Sequence, residues 1–321
     1  MSRPGRVLVT GGAGFVGSTL VDRLLGEGRE VVALDSFDPF YPEAHKRENL
    51  AGAMRSPRFR LEVGDIRDAG AVGRALAGGV DAIVHLAALA GVRPSLERPA
   101  EYADVNVRGT AVVAEAAVRA GVQRLVFASS SSVYGEREQA SGPFRESDPV
   151  ERPVSPYAAT KRAGELLLHT FHHAHGLPIV CARIFTAYGP RQRPDLAIRK
   201  FAERIAAGRP IPVFGDGSAT RDFTYVDDLV EALVRATDSE LGFEILNFGA
   251  GRTVRLLDVV AALERTLGRK AEIEWLPPQV GDVPRTWADV SAAKAALGWA
   301  PAVEIEDGIE RFAGWLRGRA G

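Results

Sequence analysis

Two side chains four residues apart, Tyr157 and Lys161 in the stretch Ser-Pro-Tyr-Ala-Ala-Thr-Lys, are the residues of this sequence best suited to moving a proton. At that spacing on a helix they share a face, which brings the ammonium near the phenol ring. Pro156 suits a helix start, and Ala163, Leu166, Leu167 and Phe171 carry the helical apolar period onward. A free tyrosine has a pKa of about 10, so useful basicity near neutral pH needs a drop of about three, worth about 4 kcal/mol of preferential phenolate stabilisation. Neighbouring positive charge is the means. Upstream, the apolar run Leu125-Val-Phe-Ala128 ends in four serines, Ser129 to Ser132, a pattern that also suits a plain hydrogen-bonded turn at a strand end.

The elements that must position this pair begin at the first strand and turn, Arg6-Val-Leu-Val-Thr-Gly-Gly-Ala-Gly-Phe-Val-Gly17. A short β-branched, apolar run stops at Thr10, glycines take over, and Phe15, Val16, Leu20, Val21, Leu24 and Leu25 then follow a helical period. Gly11 and Gly14 allow torsions and a close approach that suit a pyrophosphate, and Gly17 lets helix and strand pack tightly. The phosphates would lie at the helix N-terminus. A merely structural glycine turn is the alternative, and the second strand, Glu30 to Asp35, weighs against it: Asp35 falls where a dinucleotide fold places the acid for the adenosine ribose. A carboxylate there repels a 2′-phosphate, so the expected cofactor is NAD. Asp65, after the strand Phe59 to Val63, suits the adenine amino group or a helix cap, with Asp68 the better cap. The small residues after the strand Ala82 to Leu86 let the chain pass against the dinucleotide, and the strand spacing fits one parallel sheet.

Composition bounds the rest. The chain has 321 residues, 46% hydrophobic and 25% charged, enough for a large core and two lobes. A formal net charge of -1 and a sequence pI near 6.6 give no field that would recruit nucleic acid or an anionic membrane. Cys181 is the single cysteine, so no intrachain disulfide forms. With no membrane-spanning run and no room for a signal peptide before the first strand, a soluble cytoplasmic protein is expected. His169 and His173 have the spacing of two metal ligands, but no acidic or cysteine ligand lies alongside, and no metal is expected.

The ordered set Thr-Gly-Gly-Ala-Gly-Phe-Val-Gly, Asp35, His-Leu-Ala-Ala-Leu-Ala-Gly-Val, Asn-Val-Arg-Gly-Thr, Ser-Ser-Ser-Ser-Val-Tyr-Gly, Ser-Pro-Tyr-Ala-Ala-Thr-Lys and Arg-Asp-Phe-Thr-Tyr-Val-Asp-Asp resembles the extended short-chain dehydrogenase/reductases of the nucleotide-sugar epimerase group, over essentially the whole chain. The resemblance implies a doubly wound, Rossmann-like parallel sheet over residues 1–185, with a return near 223–250, and a smaller C-terminal α/β substrate lobe over 186–321. It implies Ser130, Tyr157 and Lys161 as the catalytic set. Gly11, Gly14, Phe15, Val16, Gly17, Asp35, Asp65, Ile66, Leu86, Ala87, Ala88 and Asn106 would meet NAD, together with Tyr157 and Lys161. Arg93, Ser130, Ser131, Ser132, Thr186, Arg193, Val213, Arg221, Gln279 and Asp282 would meet a nucleotide sugar. For Arg221 and Asp282, plain surface charge is the alternative. A homodimer through helices near 101–120 and 157–175 is the family expectation.

The implied reaction is inversion at C4 through a 4-keto sugar. Dehydratases and uronate decarboxylases of the family place an acid directly before Val-Tyr-Gly, where this chain has Ser131 and Ser132. A non-catalytic NAD sensor is disfavoured by the presence of both Tyr157 and Lys161. UDP-galactose epimerases usually have asparagine where Thr186 stands, whereas this threonine with the later Arg193-Pro194-Asp195 is similar to UDP-glucuronate 4-epimerases. Arg191 and Arg193 as a solvated loop, or as phosphate contacts, remain alternatives.

Overall fold

The computed structural model describes residues 3–137, 142–278 and 283–319. The first strand, β1 (Arg6–Thr10), buries four of its five residues and hands over at Gly11 to helix α1 (Phe15–Gly26). Gly11 has φ +69°, a conformation open to glycine, and its N–H donates to Leu34 O at 2.7 Å. A Cβ on Gly17 would sit 2.1 Å from Gly11 O, so α1 reaches the strand turn only because that position is bare.

Five more strands follow in the N-terminal half: β2 (Glu30–Asp35), β3 (Phe59–Val63), β4 (Ala82–His85), β5 (Arg124–Ser130) and β6 (Ile179–Ile184). With Phe243–Phe248 they form one seven-stranded sheet, ordered Phe243–Phe248, β6, β5, β4, β1, β2, β3, with every pair parallel. Both faces are covered. Val7 and Val9 enter one apolar core and Leu8 the other, which is why the strands read as unbroken apolar runs. The order reverses between β1 and β4, and the crevice at the carboxyl ends there is where a doubly wound sheet takes its ligand.

The later chain builds three small two-stranded sheets: Thr186–Tyr188 with Phe223–Tyr225, Ile211–Phe214 with Ile273–Leu276, and Thr220–Arg221 with Val254–Arg255. Helix Val226–Asp238 packs on α1, and the next strand, Phe243–Phe248, completes the large sheet. Asn247 is therefore a buried sheet residue; its Nδ2 donates to Phe144 O at 2.8 Å and its Oδ1 accepts from the Tyr134 hydroxyl at 2.6 Å. Ser36 to Leu50 is a loop only in its first part, because Glu43–Leu50 is helical and Asn49 ties it to Ala13 O. The expected helix over 101–120 is interrupted by a π-turn at Asp104–Arg108. No helix among the described residues is long and apolar enough to cross a membrane.

Candidate active site

The glycine turn, the end of β2 and the segment after β4 line one continuous cleft. Its walls include Gly11, Gly14, Phe15, Val16, Gly17, Asp35, Asp65, Ile66, Leu86, Ala87 and Ala88. Gly14 caps α1 with no side-chain acceptor, so first-turn amides of the helix are left to an anion. A Cβ on Gly11 would come 2.9 Å from Ala87 N, so side-chain-free backbone forms the floor. Asp35 is oriented by the N–H groups of Ala13 (3.0 Å) and Phe37 (2.8 Å), which leaves carboxylate lone pairs for two ribose hydroxyls. These features fit a dinucleotide. Asp65 lines the cleft but is gripped by Arg67, which holds its carboxyl below the usual range. Asp68 caps the next helix, accepting from Gly70 N.

Asn106 stands behind the residues that line the cleft: in the π-turn its carboxamide closes on Leu89, accepting from N at 2.8 Å and donating to O at 3.0 Å, and donates again to Thr160 Oγ1 at 3.0 Å. It ties the cleft wall to the helix that carries Tyr157.

That helix, Pro156–His175, starts as its sequence predicts: Ser155 accepts from Ala158 N, and Pro156 occupies the first turn. Tyr157, Lys161 and Ser130 meet in a cavity of about 540 Å³ that continues from the cleft. Lys161 is buried, its Nζ donates to Ala128 O at 2.7 Å, and it lies 5.9 Å from the Tyr157 ring centroid. Burial lowers its pKa to about 7. Burial pushes the Tyr157 phenol above its ordinary value, while the Ser130 hydrogen bond and the Arg193 charge pull it back. His85, fixed between Thr10 and Thr110, has its pKa lowered to about 3 by burial first and then by Lys161, and so stays neutral.

The same cavity is lined by Arg93, Ser131, Ser132, Thr186, Arg193 and Arg221. Arg193 is held by Asp195 at 3.0 and 2.9 Å, whereas Arg191 turns away to pair with Asp22 of α1. Buried Gln192 between them sets the loop, bonding Ala187 O and Arg199 N. Alternation along Ile211–Phe214 turns Pro212 and Phe214 to the cavity and the Val213 side chain into the core. Gln279 and Asp282 lie outside the described residues. Sequence reasoning missed Lys200, which lines the cavity from helix Ala197–Ala206, and Phe214, whose ring stacks under the Arg93 guanidinium. It also missed Asp222, whose fully buried carboxylate gathers the N–H groups of Ala250, Gly251 and Ala288 behind that wall. Among the described residues no group of three or more His, Cys, Asp or Glu could hold a metal ion; His169 and His172 pack on Phe243.

A parallel sheet with this order and a glycine turn at its switch point define the class: a doubly wound, Rossmann-like α/β protein. The NAD dependent epimerase/dehydratase family model matches residues 7–249, and the chain belongs to that family. It is 42% identical to a UDP-glucuronate 4-epimerase of Thermodesulfobacterium geofontis (strain OPF15), over 98% of this chain and 96% of that one. It is 40% identical to a UDP-glucose 4-epimerase of Mycolicibacterium smegmatis (strain ATCC 700084 / mc(2)155), over 98% and 99%. Among solved structures, the UDP-glucuronic acid 4-epimerase from Bacillus cereus, in complex with UDP-glucuronic acid and NAD, superposes with a TM-score of 0.92 at 35% identity, covering 98% of this chain and 99% of that one.

Proposed function

We propose that this protein is an NAD-dependent 4-epimerase that interconverts UDP-glucuronate and UDP-galacturonate, acting in the cytoplasm as a homodimer. The observation that carries the reading is Arg193, which lines the same cavity as Tyr157 and whose charge bears on the phenol. A guanidinium that close to a base acting at C4 suits a carboxylate on C5.

Tyr157, as phenolate, takes the sugar 4-hydroxyl proton, with Ser130 orienting or relaying it. Lys161 lies against the Tyr157 ring, and its positive charge favours the phenolate. Held in the cleft by the glycine turn and Asp35, NAD would supply the hydride acceptor and donor for C4. The family resemblance gives Arg221 the diphosphate, while the sugar turns over. Oxidised at C4, a glucuronate is a β-keto acid that loses carbon dioxide once the C5–carboxylate bond aligns with the carbonyl π system. Arg193, with Thr186 and Arg93, holds the carboxylate out of that alignment.

Two expected results follow from the carboxylate contact. The wild-type enzyme should prefer UDP-glucuronate to UDP-glucose in kcat/KM; the reverse preference makes UDP-glucose 4-epimerase the function. Arg193→Leu should raise KM for UDP-glucuronate roughly tenfold or more, as expected for a lost charge-assisted pair, and release UDP-pentose, seen by mass spectrometry of the products. An unchanged KM removes Arg193 from the site. Exposed Leu166 on helix Pro156–His175 supports the dimer, and a monomer mass in light scattering at micromolar concentration would remove it.

A further inference from the structure

The turn Asp38 to Tyr41 belongs to the cofactor side, where Phe40 and Tyr41 line the cleft with Asp35. Yet Phe40 also carries the Arg193 guanidinium over its ring, 5.3 Å from the centroid. The turn that presents this ring is itself fixed. Phe40 N donates to Asp38 Oδ1 at 2.9 Å, Lys46 Nζ donates to Asp38 O at 2.8 Å, and the same ammonium lies 4.8 Å from the Tyr41 ring centroid. The guanidinium is thus held on its face by Phe40 and on one edge by Asp195, whose two oxygens take Nε–H at 3.0 Å and one Nη2–H at 2.9 Å. That grip uses two of the five N–H donors and leaves the Nη1 edge for a ligand.

Resting on the uronate reading above, we propose that Phe40 is a positioning residue for sugar selection: from the cofactor side, it aims Arg193 at the substrate carboxylate. A long arginine side chain loses much rotamer freedom when it binds, and a stacking contact made beforehand removes part of that cost from the binding step. A sugar with no carboxylate draws nothing from the arrangement, so Phe40 bears on discrimination and not on the chemistry at C4. It also makes one turn of the chain answer to both ligands, since the segment that follows the ribose-binding acid sets the guanidinium that reads the sugar.

The test uses the holoenzyme and two variants, Phe40→Leu, which keeps apolar bulk without a ring face, and Phe40→Tyr, which keeps the face. With NAD saturating, Phe40→Leu is expected to raise KM for UDP-glucuronate relative to that for UDP-glucose roughly five- to tenfold, and Phe40→Tyr is expected to restore the wild-type ratio. A loss of melting temperature or of NAD content in Phe40→Leu, or an equal change with both substrates, marks a structural role and overturns the inference. So does an unchanged KM for UDP-glucuronate in Phe40→Leu, when wild type prefers that substrate; this leaves the uronate reading intact. A wild-type preference for UDP-glucose overturns both.

Discussion

Tyr157→Phe is expected to lower turnover roughly a hundredfold or more, the scale of a lost general base, while NAD stays bound. The substitution removes one oxygen from a phenol that burial already pushes upward, and none of the glycine-turn contacts that fit the dinucleotide. Neither neighbour replaces the oxygen. Ser130 has an ordinary hydroxyl, engaged with Ser132 N at 3.1 Å, and Lys161 is tied to Ala128 O. Interconversion of the two UDP-sugars, followed by NMR, gives the rate, and NAD released on denaturation gives the occupancy. Near-normal turnover in this variant would remove Tyr157 from the mechanism; lost occupancy would make it a binding residue.

The second large effect is in the scaffold. Gly17→Ala places a methyl 2.1 Å from Gly11 O and 2.9 Å from both Gly11 C and Gly12 Cα, all backbone atoms of the turn that fits the pyrophosphate. Relief requires α1 to move off β1, so we expect a melting temperature lower by about 5 °C or more, as for an overpacking cost of at least ~2 kcal/mol in a chain of this size. NAD retention should fall with it. Gly26→Ala is the control: at the far end of the same helix its Cβ would meet nothing within 4 Å, and the variant should match or slightly exceed wild-type stability. Equal melting curves for the two variants would mean that the turn tolerates the displacement.

What was legible in the sequence was what local chemistry dictates. Gly11 to Gly17, Asp35 and the spacing of Tyr157 to Lys161 each answer to a constraint within a few residues, and they converge on one cleft. Where side-chain direction or distant partners decide, neighbouring residues carry little signal. Strand alternation turns the Val213 side chain inward and gives the cavity to Pro212 and Phe214. The Asn106 amide is spent on Leu89 and Thr160, a pairing that no spacing announces. Phe40 and Arg193 lie far apart in the chain, and nothing near either residue names the other.

The strand Phe243–Phe248 sets a timetable for synthesis. Until it emerges, β6 is an edge strand, and β6 is the apolar run Ile179-Val-Cys-Ala-Arg-Ile184, with a full row of unpaired backbone groups on one side. The ribosome adds roughly 60 residues between the end of β6 and the end of its partner, a wait on the order of 3 to 12 seconds at ~5–20 residues per second. During that interval the half-built sheet offers the same parallel edge to any other nascent copy. A chaperone that shields β6 on the ribosome would therefore raise the yield of this chain by occupying the place later taken by residues 243–248.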